Sequence, residues 1–318
     1  MKRQMIFAAL LAILSGLTLL VGLVPGILWQ GAKETRVVGL ILDTDIGLHA
    51  ATIKQGAKLA ARELKAELIA NAPVPGEDGT SSQRVLWERQ FAQGISALML
   101  VPTSDAVAEE ATLAAKAANV KLVLLDGGTR EDRLYVSTDH AESGAQAIAA
   151  IEARAEAPVR LLVLTRPSQD ALCAQRLAGA MGAIDESDAI ELTVTEVMED
   201  DGSAEDAQLR RALAKNPGIG AVLCMDGALT EVAARTLTAL GKAKDICLVG
   251  FDCDQTRVTY LQSGAVAATV LRSPLNIGYL GLYRALGDGG NVRTPSFIVD
   301  RENMLDPTRV KLLFPLVR

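Results

Sequence analysis

From Val37 onward, short runs of continuously apolar residues alternate with longer segments whose apolar positions recur every three or four residues. The first kind predicts buried strands and the second amphipathic helices. Val37–Leu42 is the first strand, and residues 49–66 follow as a helix with Ile53, Ala57, Ala60 and Leu64 on one face. The polar, Pro- and Gly-containing stretch Asn71–Ser82 reads as a loop. A helix at Gln83–Ala92, a strand at Ala97–Val101, a helix at Ala106–Ala118 and strands at Lys121–Leu125 and Leu134–Ser137 complete a first block. A similar succession then begins with the strand Val159–Thr165. It runs through helices at Ala171–Ile184 and Ala204–Ala214 and strands at Glu191–Val197, Ala221–Cys224 and Ile246–Gly250. Leu229, Val232, Ala233, Leu237 and Leu240 stripe the helix between the last two strands, and Gly241 stands where a helix stop is expected. A strand at Val266–Leu271, a helix at Pro274–Leu286 opened by its proline, and a strand at Phe297–Asp300 end the pattern.

Apolar strands alternating with helices predict parallel sheets covered on both faces. The fold class expected is α/β, with two doubly wound parallel-sheet lobes joined by a hinge, because 318 residues suit about two domains of roughly 150 residues each. Ligands of such sheets bind beyond the carboxyl ends of the strands. Four strands here run into acidic residues at that end: Asp43 and Asp45, Asp126, Asp226 and Asp252. Carboxylates delivered to a ligand-accessible edge suit a small polar molecule.

Charge and composition narrow the function. Lys plus Arg at 32 against Asp plus Glu at 38 gives a net charge of −6, with no basic stripe, which disfavours nucleic acid as a partner. Lys2 and Arg3 precede the uncharged stretch Gln4–Ala32, long enough to cross a bilayer, which needs about 20 apolar residues. Residues 1–32 therefore read as an N-terminal membrane anchor, with a cleaved export signal as the alternative; either way the bulk of the chain is extracytoplasmic. Cys173, Cys224, Cys247 and Cys253 form no Cys-x-x-Cys pair and have no histidine at ligand spacing, so no metal is expected. They read as buried thiols, with a disulfide left open. There is no Gly-x-Gly-x-x-Gly after the first strand, no Gly-x-Ser-x-Gly and no Walker loop, so neither catalytic residues nor a cofactor are expected.

Several segments carry a family resemblance. They are Val38-Gly39-Leu40-Ile41 with Gln55-Gly56-Ala57; Gly94 through Pro102; Tyr135-Val136-Ser137-Thr138-Asp139 with Ser143-Gly144; Leu248 through Asp252; and Gly264 through Val270. Their order and spacing resemble the type I periplasmic binding protein superfamily, in its ribose-binding and LacI-like branch, over about residues 36–303. The resemblance implies three crossings between lobes, near Asp139–Ser143, near Arg272 and near Val299–Asn303. One lobe would then comprise 36–139 plus 272–299 and the other 140–271 plus 300–318. It implies ligand contacts at Asp126, Asp226, Asp252 and Arg272, and a monomer that captures a sugar-like solute. The solute would pass to an ABC permease, or a membrane sensor kinase would read the closed form. A LacI-type repressor would need a helix-turn-helix segment where this chain has its apolar span.

The residues also depart from that branch. Gly47-Leu48-His49-Ala50 stands where its sugar binders place aromatic rings, Gly127-Gly128 where an arginine often follows the aspartate, and Ala174 where another arginine is usual, with Arg176 nearby. His49 is a candidate for part of the missing wall. Thr44 and Asp45 at the cleft mouth, and Gln169 and Asp170 opening the second lobe's first helix, are candidate polar contacts. His140, beside the first crossing, reads as a hinge or surface residue.

Overall fold

A computed structural model describes residues 36–74, 76, 78–127, 130–166, 171–198, 204–252 and 255–313. The stretch Gln4–Ala32 lies outside the described residues. Among those described, no helix is long and apolar enough to cross a membrane.

The strands are β1 (Val37–Ile41), β2 (Glu67–Asn71), β3 (Ala97–Leu100), β4 (Lys121–Leu125), β5 (Tyr135–Thr138), β6 (Val159–Thr165), β7 (Ile190–Val197), β8 (Ala221–Cys224), β9 (Cys247–Phe251), β10 (Ala268–Leu271), β11 (Val292–Thr294) and β12 (Phe297–Asp300). They form two six-stranded sheets, in the orders β11-β5-β4-β3-β1-β2 and β12-β10-β9-β8-β6-β7. Every pairing is parallel except β12 with β10. The two sheets therefore match strand for strand, β1 with β6, β4 with β9 and β5 with β10. Their central strands are wholly buried, as their unbroken apolar sequence predicts.

The helices are α1 (Leu48–Leu64), α2 (Gly79–Ala92), α3 (Asp105–Ala117), α4 (His140–Glu152), α5 (Ala171–Asp185), α6 (Glu205–Lys215), α7 (Gly227–Ala239), α8 (Gln255–Ser263), α9 (Pro274–Leu286) and α10 (Pro307–Leu313). The early helix stops two residues sooner than the pattern suggests, because Lys65 takes a left-handed conformation and turns the chain into β2. Buried Gln83 of α2 ties the carboxyl ends of β1 and β3: its amide donates to Leu42 O and Val101 O, and its oxygen accepts from Thr103 N–H.

Each sheet is covered by a helix pair, and in the first sheet the second member arrives late in the chain. In the first, α1 packs on α9; in the second, α5 packs on α4. Both pairs touch backbone to backbone at glycines. A Cβ on Gly56 would lie 2.0 Å from Leu275 O, one on Gly278 1.9 Å from Ile53 O, one on Gly144 2.0 Å from Arg176 O and one on Gly179 1.9 Å from Ala141 O.

The third crossing differs from the expected place. β11 belongs to the first sheet and β12 to the second, so the chain crosses between Thr294 and Phe297 rather than at Val299–Asn303. This segment is tied to the first crossing: Asp139 N–H donates to Thr294 O at 3.4 Å, and Ser143 Oγ donates to Ser296 Oγ at 3.0 Å.

Candidate functional site

Asp126 and Asp252 occupy equivalent places in the two sheets. Each is the first residue beyond its strand and donates its N–H to the neighbouring strand, Asp126 to Val136 O at 3.0 Å and Asp252 to Val270 O at 3.1 Å. Both adopt positive φ, 52° and 59°. Few residues with a side chain enter this region, aspartate more readily than most, and such backbone clusters at functional sites.

One arginine joins the two carboxylates. Arg272, the first residue beyond β10, puts Nη1 on Asp126 Oδ2 and donates Nε–H to Asp252 Oδ1 at 2.9 Å. His49, in the first turn of α1, brings Nε2 to 2.9 Å from the same Asp126 oxygen. His140, opening α4, stands 3.4 Å from Asp126 Oδ1. On the far side, Arg176 of α5 donates Nη1–H to Met225 O at 2.8 Å and reaches Asp252 Oδ2 at 3.5 Å. Its guanidinium lies 4.3 Å from the centre of the Phe251 ring, a cation–π contact that fixes its plane.

Exposure orders these groups. The Asp126 side chain is 1% exposed and Arg272 10%, whereas His49 and Asp252 remain near 30%. Burial alone would raise the Asp126 carboxyl, but Arg272, with His140 and His49, holds it well below the usual carboxylate range. Asp252 is lowered too, its burial outweighed by Arg272 and Arg176. Asp43, just beyond β1, runs the other way: burial raises it, against the opposing pull of His49 and with Asp126 adding repulsion. His140 is lowered by burial; Arg176 and Arg272 reinforce this and Asp126 opposes it. The result is a cluster of ionised carboxylates and fixed guanidinium groups flanked by two histidines. Such charge-assisted groups bind hydroxyls and amines strongly.

The model of the periplasmic binding protein domain matches residues 38–286. The chain belongs to that family. Relatives include the ribose import binding protein of Bacillus subtilis, 22% identical over 253 residues, covering 79% of this chain and 81% of that protein. Its counterpart in Haemophilus influenzae is 22% identical over 258 residues, covering 80% of this chain and 86% of that one. Among solved structures, an ABC transporter solute binding protein from Agrobacterium vitis bound to alpha-D-tagatopyranose superposes with a TM-score of 0.77 at 18% identity, covering 88% of this chain and 99% of that one. A glucose-galactose binding protein from Geobacillus stearothermophilus gives 0.77 at 19%, covering 86% and 100%. Both solved structures share the fold of this chain.

Four of the expected site residues, Asp126, Asp252, Arg272 and His49, come together in one cluster. Asp226 does not join them. Its Oδ1 caps α7 by accepting from Leu229 N–H at 2.7 Å, and its Oδ2 accepts from Arg166 Nε at 2.9 Å, so both oxygens are committed locally. Thr44 uses its hydroxyl to accept from Ile46 N–H at 3.1 Å in a tight turn, and Asp45 beside it is exposed. Gln169 and Asp170 lie outside the described residues. Of the two places expected of His140, hinge or surface, the surface is excluded, because the packing of α4 on α5 and β9 buries it at 1% exposure beside the first crossing. Arg176 and Arg166 are further charged groups at the strand ends. The sequence offered only the nearness of Arg176 to a position where an arginine is usual. Among the described residues, no group of three or more His, Cys, Asp and Glu could hold a metal ion.

Proposed function

We propose that the protein is an extracytoplasmic solute-binding protein that captures a sugar or polyol between its two sheets and hands it to an ABC import permease. The observation that carries this reading is the pair of strand-end aspartates, Asp126 and Asp252, one from each sheet, converging on Arg272. The two lobes, with the third crossing moved to Pro295-Ser296, form the jaws, and the crossings form the hinge. Residues 1–32 would hold the protein at the outer face of the membrane.

The arrangement of the cluster defines what a solute must do. Arg272 already satisfies the carboxylates that a solute hydroxyl would use, so binding is an exchange in which hydroxyls take over Asp252 and Asp126 while Arg272 turns its planar donor fork to the solute. A solute lacking a hydroxyl pair leaves a buried carboxylate unpaired, at a cost of about 1–3 kcal/mol or more for a charged group. Selectivity for polyhydroxylated molecules follows. The branch's relatives that carry sugars support this reading, as does the location of the cluster beyond the carboxyl ends of both sheets.

The test is thermal unfolding and calorimetric titration of the exported part of the chain against aldoses, ketoses and polyols. A true ligand held at about 100 times its Kd raises stability by about 2.7 kcal/mol. No saturable binding across that panel refutes the reading.

A further inference from the structure

We propose that His140 is a positioning residue of the cleft: it backs the carboxylate of Asp126 from the hinge side and fixes its orientation while the opposite oxygen is left for exchange between Arg272, His49 and a solute hydroxyl. This rests on the reading of the cleft as a solute site and extends it to a residue that does not itself reach the solute.

The geometry points to it in three ways. First, His140 and Asp126 are both buried, at 1% and 3% exposure, so no bulk water serves either group. Second, among the described residues neither ring nitrogen of His140 has a hydrogen-bond partner, and neither does Asp126 Oδ1, although Nε2 and Oδ1 stand 3.4 Å apart. A buried imidazole and a buried carboxylate oxygen that attract each other at 3.4 Å without an aligned hydrogen bond are costly as they stand. A small shift of the Asp126 carboxylate closes that gap. Third, Asp126 Oδ2 is held by Arg272 and His49 on the side opposite Oδ1. When a solute draws Arg272 away, Oδ1 is free to settle on His140 Nε2–H, and the carboxylate keeps a fixed plane without its guanidinium.

The site of His140 in the chain gives this contact its meaning. It is the second residue past β5, at the first crossing, while Arg272 is the first residue past β10, at the second. Asp126 is thus gripped from two crossings, one on each oxygen. The charged groups around His140 are Asp126 beyond β4, Arg176 on α5, Arg272 beyond β10 and Asp252 beyond β9. On its own side stand Asp139 and Glu142, and Asp300 of β12 is paired with Arg154. Two guanidinium groups and burial favour the neutral ring, and a neutral ring with its proton on Nε2 is the donor Asp126 requires.

Two measurements test this. In ligand-free protein, ring ¹⁵N spectra of His140 are recorded from about pH 8 to about pH 5, the range over which an ordinary histidine titrates. The expected result is a ring that stays neutral with the proton on Nε2, and a shift of that proton toward Nδ1 in Asp126→Ala, which removes the acceptor. A ring that titrates near the ordinary 6.5, or a tautomer that ignores Asp126→Ala, overturns the proposal. In parallel, affinity for D-ribose, D-xylose, D-glucose and D-galactose is compared in wild type, His140→Phe and His140→Gln. Phenylalanine fills the space without a donor, and glutamine returns an N–H near the Nε2 position. The expected pattern is a loss of about tenfold or more in His140→Phe, equivalent to about 1.4 kcal/mol, largely restored in His140→Gln. Equal affinity in wild type and His140→Phe overturns the proposal while leaving solute capture intact. If wild type binds none of the four sugars, solute capture is what fails for that set, and the ring spectra still decide whether His140 holds Asp126.

Discussion

Replacing Gly144 by alanine sets two physical effects against each other with opposite signs. Helix propensity favours the change by about 1 kcal/mol, since Gly144 lies inside α4. Sterics oppose it, because the new Cβ would stand 2.0 Å from Arg176 O. Carbon and carbonyl oxygen ordinarily meet at about 3.3 Å, so the two helices must part by roughly 1.3 Å. The obstacle is backbone inside a packed pair, which no rotamer change relieves, so the cost belongs at or above the upper end of the about 1–3 kcal/mol typical of overpacking. The net expectation is about 2 kcal/mol of destabilisation. At about 2–4 °C per kcal/mol for a protein of this size, Tm falls by roughly 4–8 °C. Gly182 of α5 is the internal control. It is exposed, and a Cβ there meets nothing within 4 Å. Gly182→Ala should raise Tm by roughly 2–4 °C from propensity alone. Differential scanning calorimetry of the ligand-free protein reads both. Two variants that move Tm upward together would refute the close-approach argument, and Gly56, Gly179 and Gly278 would lose the same explanation.

Three further outcomes follow from the site. Asp252→Asn should abolish sugar binding and also lower ligand-free Tm, because it removes the charge with which the largely buried Arg272 and Arg176 pair; retained affinity in calorimetric titration would remove it from the contact set. Asp226→Ala should instead lower Tm through loss of the α7 cap, by about 1 kcal/mol, and leave affinity near wild type; unchanged stability with lost binding would reverse that assignment. The depressed carboxyls of Asp126 and Asp252 contribute stability that is fully present above about pH 4, their ordinary range, and is lost as pH falls further. Acid unfolding curves should accordingly flatten below about pH 4 in Arg272→Met, and curves that overlay wild type would refute the linkage.

Most strands were legible because the central ones are wholly buried and therefore apolar without interruption. The two that the pattern missed, β2 and β11, are edge strands. Glu67–Asn71 is polar at both ends, and Val292-Arg293-Thr294 is only three residues long, so neither leaves a continuous apolar run. The strand-end aspartates were visible as residues, yet sequence could not separate Asp252, which faces Arg272, from Asp226, which caps a helix. Both follow an apolar strand and precede a helix, and only the backbone turn distinguishes them: Asp252 has positive φ, whereas Asp226 has the extended geometry of an N-cap. The burial of His140 was invisible because it depends on how α4 meets α5, a tertiary contact set by glycines far apart in the chain.

The late arrival of α9 and β11 bears on how the protein is made. The first sheet opens at Val37, yet the helix that covers the glycine face of α1 ends at Leu286, and its edge strand ends at Thr294. A nascent chain that has emerged only as far as β5 holds strands with no partner for that face, so the first lobe has no complete core until nearly all of the sequence exists. Contacts of such long sequence separation form slowly. A polypeptide that stays unfolded while it is being synthesised remains threadable, and a chain destined for the far side of a membrane gains time to pass through before its first domain can lock.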